Sequence, residues 1–248
     1  MTIIGSGTSV PLDGRGAPGY LVRVSGEAIA FDLGPGTVHR WSAAGVSCLD
    51  VGEVYVTHLH PDHIADLVTF LFALRNPYFK RTKPLRIIGP VGLMDHYRGL
   101  MNQYGYWVEE EGYELSLTEN SGMVSKRDGY TVTSRLVRHT STSLGYRVET
   151  PDGRVFAYSG DTDTCEAIIE LGRRAQVMVL ECSVPDERRI EGHLTPALAG
   201  EIAAECGVEK LVLTHFYPLF QGIDIVERVR KVYGGEVILA EDLMRIEV

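Results

Sequence analysis

The chain has 248 residues, of which 44% are hydrophobic and 23% are charged. This composition is typical of a globular protein with a sizeable core, and we expect a single domain over residues 1–248. The formal net charge of −9 argues against a surface that binds polyanions over its whole extent. No uninterrupted apolar stretch of about 18 residues is present, so we expect no membrane span.

The beginning of the sequence and its cysteines predict a cellular compartment. "MTIIGSGTSVPLDGRG" lacks a basic region followed by an apolar one, so it does not resemble a secretory signal. The cysteines are scattered, with no C-x-x-C pair, at Cys48, Cys165, Cys182 and Cys206. We interpret them as reduced thiols and predict a cytoplasmic protein.

Strand and helix patterns alternate along the chain. Apolar, β-branched runs predict strands at 20–24, 28–32, 53–57, 85–89, 130–137, 144–149, 154–159, 176–181, 210–214 and 236–239. Helical patterns predict helices at 37–44, 64–75, 91–104, 164–174, 196–206 and 223–233. The helix at 196–206 begins after Thr195 as N-cap and ends before Gly207. The alternation indicates an α/β layered fold, and hairpins such as the one at Pro151–Gly153 indicate a mixed sheet.

Several predicted strands end in a side chain that can bind a metal ion or a proton. These side chains are Asp32, His58, His139, Asp161, Glu181 and His215. Loops at one edge of a sheet converge while the strands hold them rigid. We therefore expect a single site built from distant parts of the chain. A lone histidine after a strand can also be an ordinary polar residue, and "SGDT" around Asp161 can be a simple turn.

The block "HLHPDH" over 58–63 carries the densest set of ligands. His58 and His60 project to the same side of an extended segment, and Pro61 then turns the chain into a helix. One short loop can thus offer two ligands to each of two ions, but other segments must complete both shells. The predicted ligands are His58, His60 and His139 for one ion, Asp62, His63 and His215 for the other, and Asp161 as a bridge. Nitrogen ligands with carboxylates suit zinc, with iron or manganese as alternatives. The remaining helical histidines, His39 and His96, are interpreted as structural or surface residues.

The H-x-H-x-D-H block resembles the signature of the metallo-β-lactamase superfamily. "IIGSGTSVPLDGRGAPGYLV", "PLRIIGPVGL", "SLGYRVETPDGRVFAYSGDTDTCEAIIEL", "GHLTP" and "LVLTHFYP" resemble its ribonuclease Z-like branch. The resemblance covers nearly the whole chain. It implies an α/β fold, the αβ/βα four-layer sandwich with two mixed β-sheets and a dinuclear site at one edge. It also suggests a homodimer.

Three departures from relatives bear on the substrate. His60 stands where dinuclear oxidoreductases of this fold usually carry glutamate, so the chain resembles the hydrolases. His139 and Asp161 are 22 positions apart, which leaves no room for the arm with which ribonuclease Z grips transfer RNA. Leu180 stands where ribonuclease Z carries a histidine. The last two departures favour a small or cyclic phosphodiester over transfer RNA.

The resemblance implies roles for individual residues. We expect phosphodiester hydrolysis by a hydroxide that bridges two ions, with Asp62 binding one ion and orienting the hydroxide. His193 resembles the histidine that lies over the site, where it would stabilise the transition state or protonate the leaving oxygen. Glu181 resembles its partner carboxylate, and Asp32 is expected to hold a ligand histidine or loop amides. Alternatively, His193 is an ordinary loop histidine and Glu181 a strand-end charge.

Other functions remain open on the sequence. One alternative is a ribonuclease Z-type RNA 3′-processing endonuclease that holds RNA elsewhere, for example at the basic segment 75–86. Another is an aryl sulfate or lactone hydrolase that uses the same site. A third is a metal-binding protein without catalysis. The glycine-rich stretch at 5–16 lacks the spacing of a dinucleotide site, and we predict a turn near the metal edge.

Overall fold

Two β-sheets organise the chain, and each is built from one half of the sequence. The computed structural model describes residues 1–248. The first sheet consists of β1 (Thr2–Gly5), β2 (Gly19–Val24), β3 (Glu27–Phe31), β4 (Val51–Tyr55), β5 (Leu85–Pro90) and β6 (Leu115–Asn120). The second consists of β7 (Val124–Arg127), β8 (Tyr130–Leu136), β9 (Leu144–Glu149), β10 (Val155–Tyr158), β11 (Val177–Glu181), β12 (Lys210–Thr214) and β13 (Glu236–Leu239).

Both sheets are mixed. The first has the order β1-β2-β3-β4-β5-β6, with antiparallel pairing up to β3 and parallel pairing from β3 onward. The second has the order β13-β12-β11-β10-β9-β8-β7, parallel from β10 to β13 and antiparallel from β7 to β10. Hairpins make the antiparallel part of each sheet, and helical crossovers make most of the parallel part.

Helices cover the outer face of each sheet. The first carries α1 (Thr37–Arg40), α2 (Pro61–Ile64), α3 (Asp66–Leu74) and α4 (Leu93–Tyr104). The second carries α5 (Glu166–Gly172), α6 (Pro196–Cys206) and α7 (Ile225–Arg230). Short 3₁₀ turns lie at Gly105–Val108 and Asp186–Arg188. The longest helix, α4, has 12 residues, and none of the helices is long and apolar enough to span a bilayer.

Aromatic side chains fill the space between the sheets. Phe31 of β3 stacks on Tyr55 of β4 with ring centroids 5.3 Å apart, and it meets Phe156 of β10 at 5.5 Å. Tyr146 and Tyr158 also pack there and are fully buried. Burial of each such side chain contributes about 1.5–3 kcal/mol, so this layer is a main source of cohesion between the two halves. The result is the four-layer αβ/βα sandwich that the sequence predicted.

The carboxyl ends of the central strands meet at one edge of the sandwich. β3 and β4 run parallel in the first sheet, as do β10, β11 and β12 in the second, and β8 runs in the same direction as β10. Two strand ends turn sharply, because Asp32 (φ 55°) and His215 (φ 61°) adopt left-handed backbone conformations. Aspartate and histidine are among the residues that tolerate this region best.

The structure differs from the sequence-based elements in a few places. The three strands β1, β6 and β7 were not predicted. The predicted helix 64–75 is divided at Ala65, because the amide of Asp66 donates to the carbonyl of Leu33 at 2.8 Å rather than continuing a helical ladder. The predicted helix 37–44 ends at Arg40 and continues as turns. The remaining predicted elements lie within a few residues of their expected positions.

Candidate metal centre

Three histidine nitrogens of the first ligand group converge on one point. Nε2 of His58 lies 3.0 Å from Nδ1 of His60, which lies 3.2 Å from Nε2 of His139. Oδ2 of Asp161 lies 3.8 Å from Nε2 of both His58 and His139. Burial, reinforced by the neighbouring His63, lowers the pKa of His58 to about 2, so its ring is neutral. A neutral imidazole is the form that binds a metal ion.

The second group is formed by Asp62, His63 and His215. Nε2 of His63 lies 3.4 Å from Nε2 of His215, and Oδ2 of Asp62 lies 3.6 Å from that same His215 nitrogen. Burial opposes ionisation of Asp62, yet His215 and His63 outweigh it and lower the pKa of this carboxyl to about 2. Asp62 therefore carries a negative charge that a cation can use.

Asp161 lies between the two groups. Its Oδ1 is 3.3 Å from Nε2 of His63 and 3.4 Å from Nε2 of His215, while its Oδ2 faces the first group. The residue is 3% exposed, and Oδ1 is the one buried side-chain polar atom of the chain without a hydrogen-bond partner. A buried carboxylate oxygen without a donor is costly unless a cation meets it. The donor set therefore fits two metal ions bridged by this carboxylate.

Hydrogen bonds on the outer side of the cluster orient the rings of four histidines that are predicted ligands. Each Nδ1 lies 2.8–3.0 Å from an oxygen, and the pairs are His58 with Thr57, His63 with Asp32, His139 with Gly192, and His215 with Ser183. The Asp32 carboxylate and the Gly192 carbonyl can only accept, so the histidine nitrogen donates. The hydroxyls of Thr57 and Ser183 use their own protons on Asp32 and Glu181, so they accept as well. In all four rings Nε2 is thereby the nitrogen that faces the cluster and is available to a metal ion.

Asp32 joins the two sheets behind the cluster. One oxygen accepts from the backbone amide of Thr57 at 2.8 Å, and the other accepts from Nδ1 of His63 at 2.8 Å and from the hydroxyl of Tyr158 at 2.7 Å. The carboxylate is 1% exposed. It thus lies where the sequence placed it, against a ligand histidine and a loop amide.

The buried Glu181 pairs with the half-buried His193. Nδ1 of His193 donates to Oε1 of Glu181 at 3.0 Å, so Nε2 is the nitrogen left to meet a ligand or substrate. Glu181 also accepts from the amides of Thr162 (2.7 Å) and Leu194 (3.1 Å). Burial opposes protonation of His193, but Glu181 outweighs it and raises the pKa of the imidazole to about 9.

A pocket of about 380 Å³ opens over the cluster. It is lined by Ser9, His60, Pro61, Asp62, Asp161, His193 and Tyr217. The glycine-rich segment 5–16 reaches this edge, where the amide of Ser9 donates to Oδ2 of Asp62 at 3.1 Å. Sequence reasoning missed Thr57, Ser183, Ser9 and Tyr217. Two of them could have been found from the sequence, because Thr57 and Tyr217 lie within two positions of a predicted ligand.

The basic segment 75–86 is largely occupied by internal contacts. Arg81 is 2% exposed, and its guanidinium donates to five backbone carbonyls. Arg75 pairs with Glu111 at 3.1 Å, Lys83 pairs with Glu27, and Arg86 pairs with Glu53 at 3.3 Å. Most of its positive charge is therefore already compensated.

His39 and His96 lie outside the metal-ligand groups.

Comparison with known proteins assigns the chain to a family. The Beta-lactamase superfamily domain matches residues 33–216. Proteins named ribonuclease Z are similar over the full chain: one from Mycobacterium sp. (strain KMS) is 31% identical over 100% of this chain and 95% of its own length. Another, from Thermobifida fusca, is 28% identical over 100% of this chain and 94% of its own length, across 302 aligned positions against the 248 residues here.

Solved structures agree with this assignment. The short form of human tRNase Z superposes with a TM-score of 0.79 at 26% identity, covering 100% of this chain and 99% of that chain. A metallo-β-lactamase fold protein from Bacillus subtilis gives a TM-score of 0.84 at 22% identity, covering 98% and 96%. The fold and the His/Asp cluster define a metal-dependent hydrolase. The chain belongs to the metallo-β-lactamase superfamily and to its ribonuclease Z-like branch.

Proposed function

We propose that the chain is a two-metal phosphodiesterase that cleaves RNA in the manner its ribonuclease Z relatives are named for. One observation carries the two-metal part: the oxygens of Asp161 face separate ligand groups, and Oδ1 lacks any other partner. The choice of RNA is supported by relatives named ribonuclease Z over the full length of the chain. These relatives favour the ribonuclease alternative over the small phosphodiester that the sequence departures favoured.

The ligand residues would place both ions at the floor of the pocket. A pair of divalent ions there would acidify a water molecule and neutralise charge on phosphoryl oxygens. Asp62 would accept a hydrogen bond from the attacking water and orient it while holding one ion. His193, with Nδ1 held by Glu181, would direct Nε2 toward the leaving oxygen and deliver a proton to it. Histidine-rich shells with two carboxylates suit zinc, which we propose as the resident ion.

A small or cyclic phosphodiester remains the second candidate, and two observations favour it. The space between His139 and Asp161 is filled by the β9–β10 hairpin, so no long arm is present there. The basic segment 75–86 is paired internally, which leaves few free cations for an RNA backbone. One relative of known structure, at 19% identity, is described as a diphosphatase of the PhnP family, and this likeness supports the fold alone.

A substrate panel tests the proposal. The metal-loaded protein is assayed with a precursor transfer RNA bearing a 3′ trailer, a 3′,5′-cyclic nucleotide, bis(p-nitrophenyl) phosphate, an aryl sulfate and an acyl lactone. Removal of the trailer at a defined position, abolished in Asp161→Ala and retained in His39→Ala, would support the ribonuclease. Turnover of the cyclic nucleotide without RNA cleavage would select the second candidate. If the protein with both ions bound hydrolyses none of the diesters, the phosphodiesterase proposal is contradicted.

The single-domain organisation and the homodimer stay predictions.

A further inference from the structure

The pocket above the cluster contains no lysine or arginine. Its seven lining residues are neutral, acidic or histidine. Phosphate sites in proteins commonly use cationic side chains or backbone amides to hold oxygens that no metal ion contacts. Here those oxygens must meet either His193 or neutral donors. Among the lining residues, the donors not already committed to a metal-ligand role are Ser9, His193 and Tyr217.

Tyr217 differs from the buried tyrosines of this chain. Six other tyrosine hydroxyls bond a protein group within the fold, and they belong to Tyr20, Tyr55, Tyr130, Tyr146, Tyr158 and Tyr233. Tyr217 is half-buried, and the neighbour of its hydroxyl is the Ser9 side chain at the mouth of the pocket. A tyrosine hydroxyl remains protonated at neutral pH and can donate one hydrogen bond. This donor therefore remains available to a bound molecule.

The position of Tyr217 is well defined. Its ring stands edge-on to His193, with centroids 6.4 Å apart and planes at 81°, and to His215, with centroids 5.9 Å apart and planes at 84°. Its backbone amide donates to the carbonyl of Ser183 at 3.3 Å. Two histidine edges and a backbone bond thus hold the ring as one wall of the pocket.

We infer that Tyr217, assisted by Ser9, binds a non-bridging phosphoryl oxygen of the substrate. This inference rests on the proposed phosphodiesterase function and adds a residue that orients the scissile group. Tyr217 donates a hydrogen bond from its hydroxyl to the phosphoryl oxygen, and the Ser9 hydroxyl donates a hydrogen bond to the phenol oxygen. No bond is made or broken at Tyr217, so its contribution is binding and orientation. The attacking water and the leaving oxygen are left to Asp62 and His193.

The test compares Tyr217→Phe with Tyr78→Phe, which removes the same atom from a tyrosine that is 89% exposed in the 75–86 segment. For bis(p-nitrophenyl) phosphate, Tyr217→Phe is expected to raise KM about tenfold with kcat less affected, because hydrogen bonds to charged groups contribute about that factor or more. Calorimetric titration with inorganic phosphate should show a similar loss of affinity. Both variants should keep two ions per chain and the wild-type melting temperature.

The outcomes separate this inference from the proposed function. Wild-type kinetics and phosphate affinity in Tyr217→Phe would overturn the role of Tyr217. Loss of an ion in that variant would overturn it as well, because Tyr217 would then act through His215. A wild-type protein that binds phosphate but hydrolyses no diester would contradict the phosphodiesterase, and the phosphate titration would still decide the role of Tyr217.

Discussion

Oδ2 of Asp32 lies 2.8 Å from Nδ1 of His63 and accepts a hydrogen bond from it, so Nε2 is the nitrogen of this ring that faces the candidate metal site. The two residues are 31 positions apart, and both are buried. Because the carboxylate also accepts from the amide of Thr57, it links the end of β3 to the loop that carries the predicted ligands. Asp32 is thus expected to act on metal affinity without touching an ion.

Asp32→Asn tests that expectation. Asparagine tolerates the left-handed backbone of this position, so the fold should survive, while the amide can no longer fix the His63 tautomer by charge. We predict a fall in metal affinity of about 10- to 100-fold, measured by competition with a chelator. Asp95→Asn, at an exposed carboxylate of α4, is the matched control. Equal affinity in the two variants would remove the role of Asp32.

Asp161→Ala tests the bridge. Since one oxygen of this carboxylate faces each ligand group, its removal should cost at least one of the two ions by elemental analysis. Turnover of the diester should be lost together with the ion. A variant that retains both ions at full occupancy contradicts the bridging role.

His193→Ala separates chemistry from metal binding. The imidazole is held by Glu181 and lies over the pocket, so we expect both ions to remain and turnover to fall about 10²- to 10⁴-fold, the range for general acid–base groups. His39→Ala, at an exposed position outside the ligand groups, should leave the rate unchanged. An undiminished rate in His193→Ala would sink its assignment as proton donor.

Glu181→Gln should affect stability. The carboxylate accepts from the amides of Thr162 and Leu194 as well as from His193, and the carboxamide group of glutamine offers one accepting oxygen in place of two. We predict that the metal-free variant loses about 1–3 kcal/mol of unfolding free energy in urea denaturation, since a buried polar group is left unpaired. An unchanged urea midpoint and slope would contradict this prediction, because the hydrogen bonds around residue 181 would then be satisfied without the second carboxylate oxygen.

Arg81→Lys tests whether the basic segment is structural. Lysine has three donors on one nitrogen and cannot reproduce five bonds to carbonyls that converge on a planar guanidinium. We predict a loss of about 3 kcal/mol in unfolding free energy without a change in RNA affinity. Arg98→Lys, on the exposed face of α4, is the control. Weaker RNA binding at unchanged stability would restore this segment as an RNA site.

The sequence predicted much of this edge because two regularities coincide. Apolar runs mark the central strands, and parallel strands release their last side chains at one edge, so His139, Asp161 and His215 could be grouped with the 58–63 block before any coordinates. The four-layer fold followed from the family resemblance. The strands β6 and β7 could not be predicted because both expose much of their surface, so their sequences show little alternation of apolar and polar residues.

The outer hydrogen bonds could not be predicted in the same way. Ser183 meets His215 across 32 positions, and Ser9 meets Asp62 across 53. Single hydroxyls and backbone amides have no period and no spacing rule, so their role depends on the packing of the two sheets. Tyr217 lies in the segment "LVLTHFYP", yet only the position of its ring at the pocket distinguishes it from a core aromatic residue.

Anomalous diffraction from crystals of the zinc-loaded protein tests the two-metal site most directly. We expect two peaks about 3.5–4 Å apart, one within the first ligand group and one within the second, with the Asp161 carboxylate between them. A single peak, or His139, Asp161 or His215 turned away from the 58–63 loop, would contradict it.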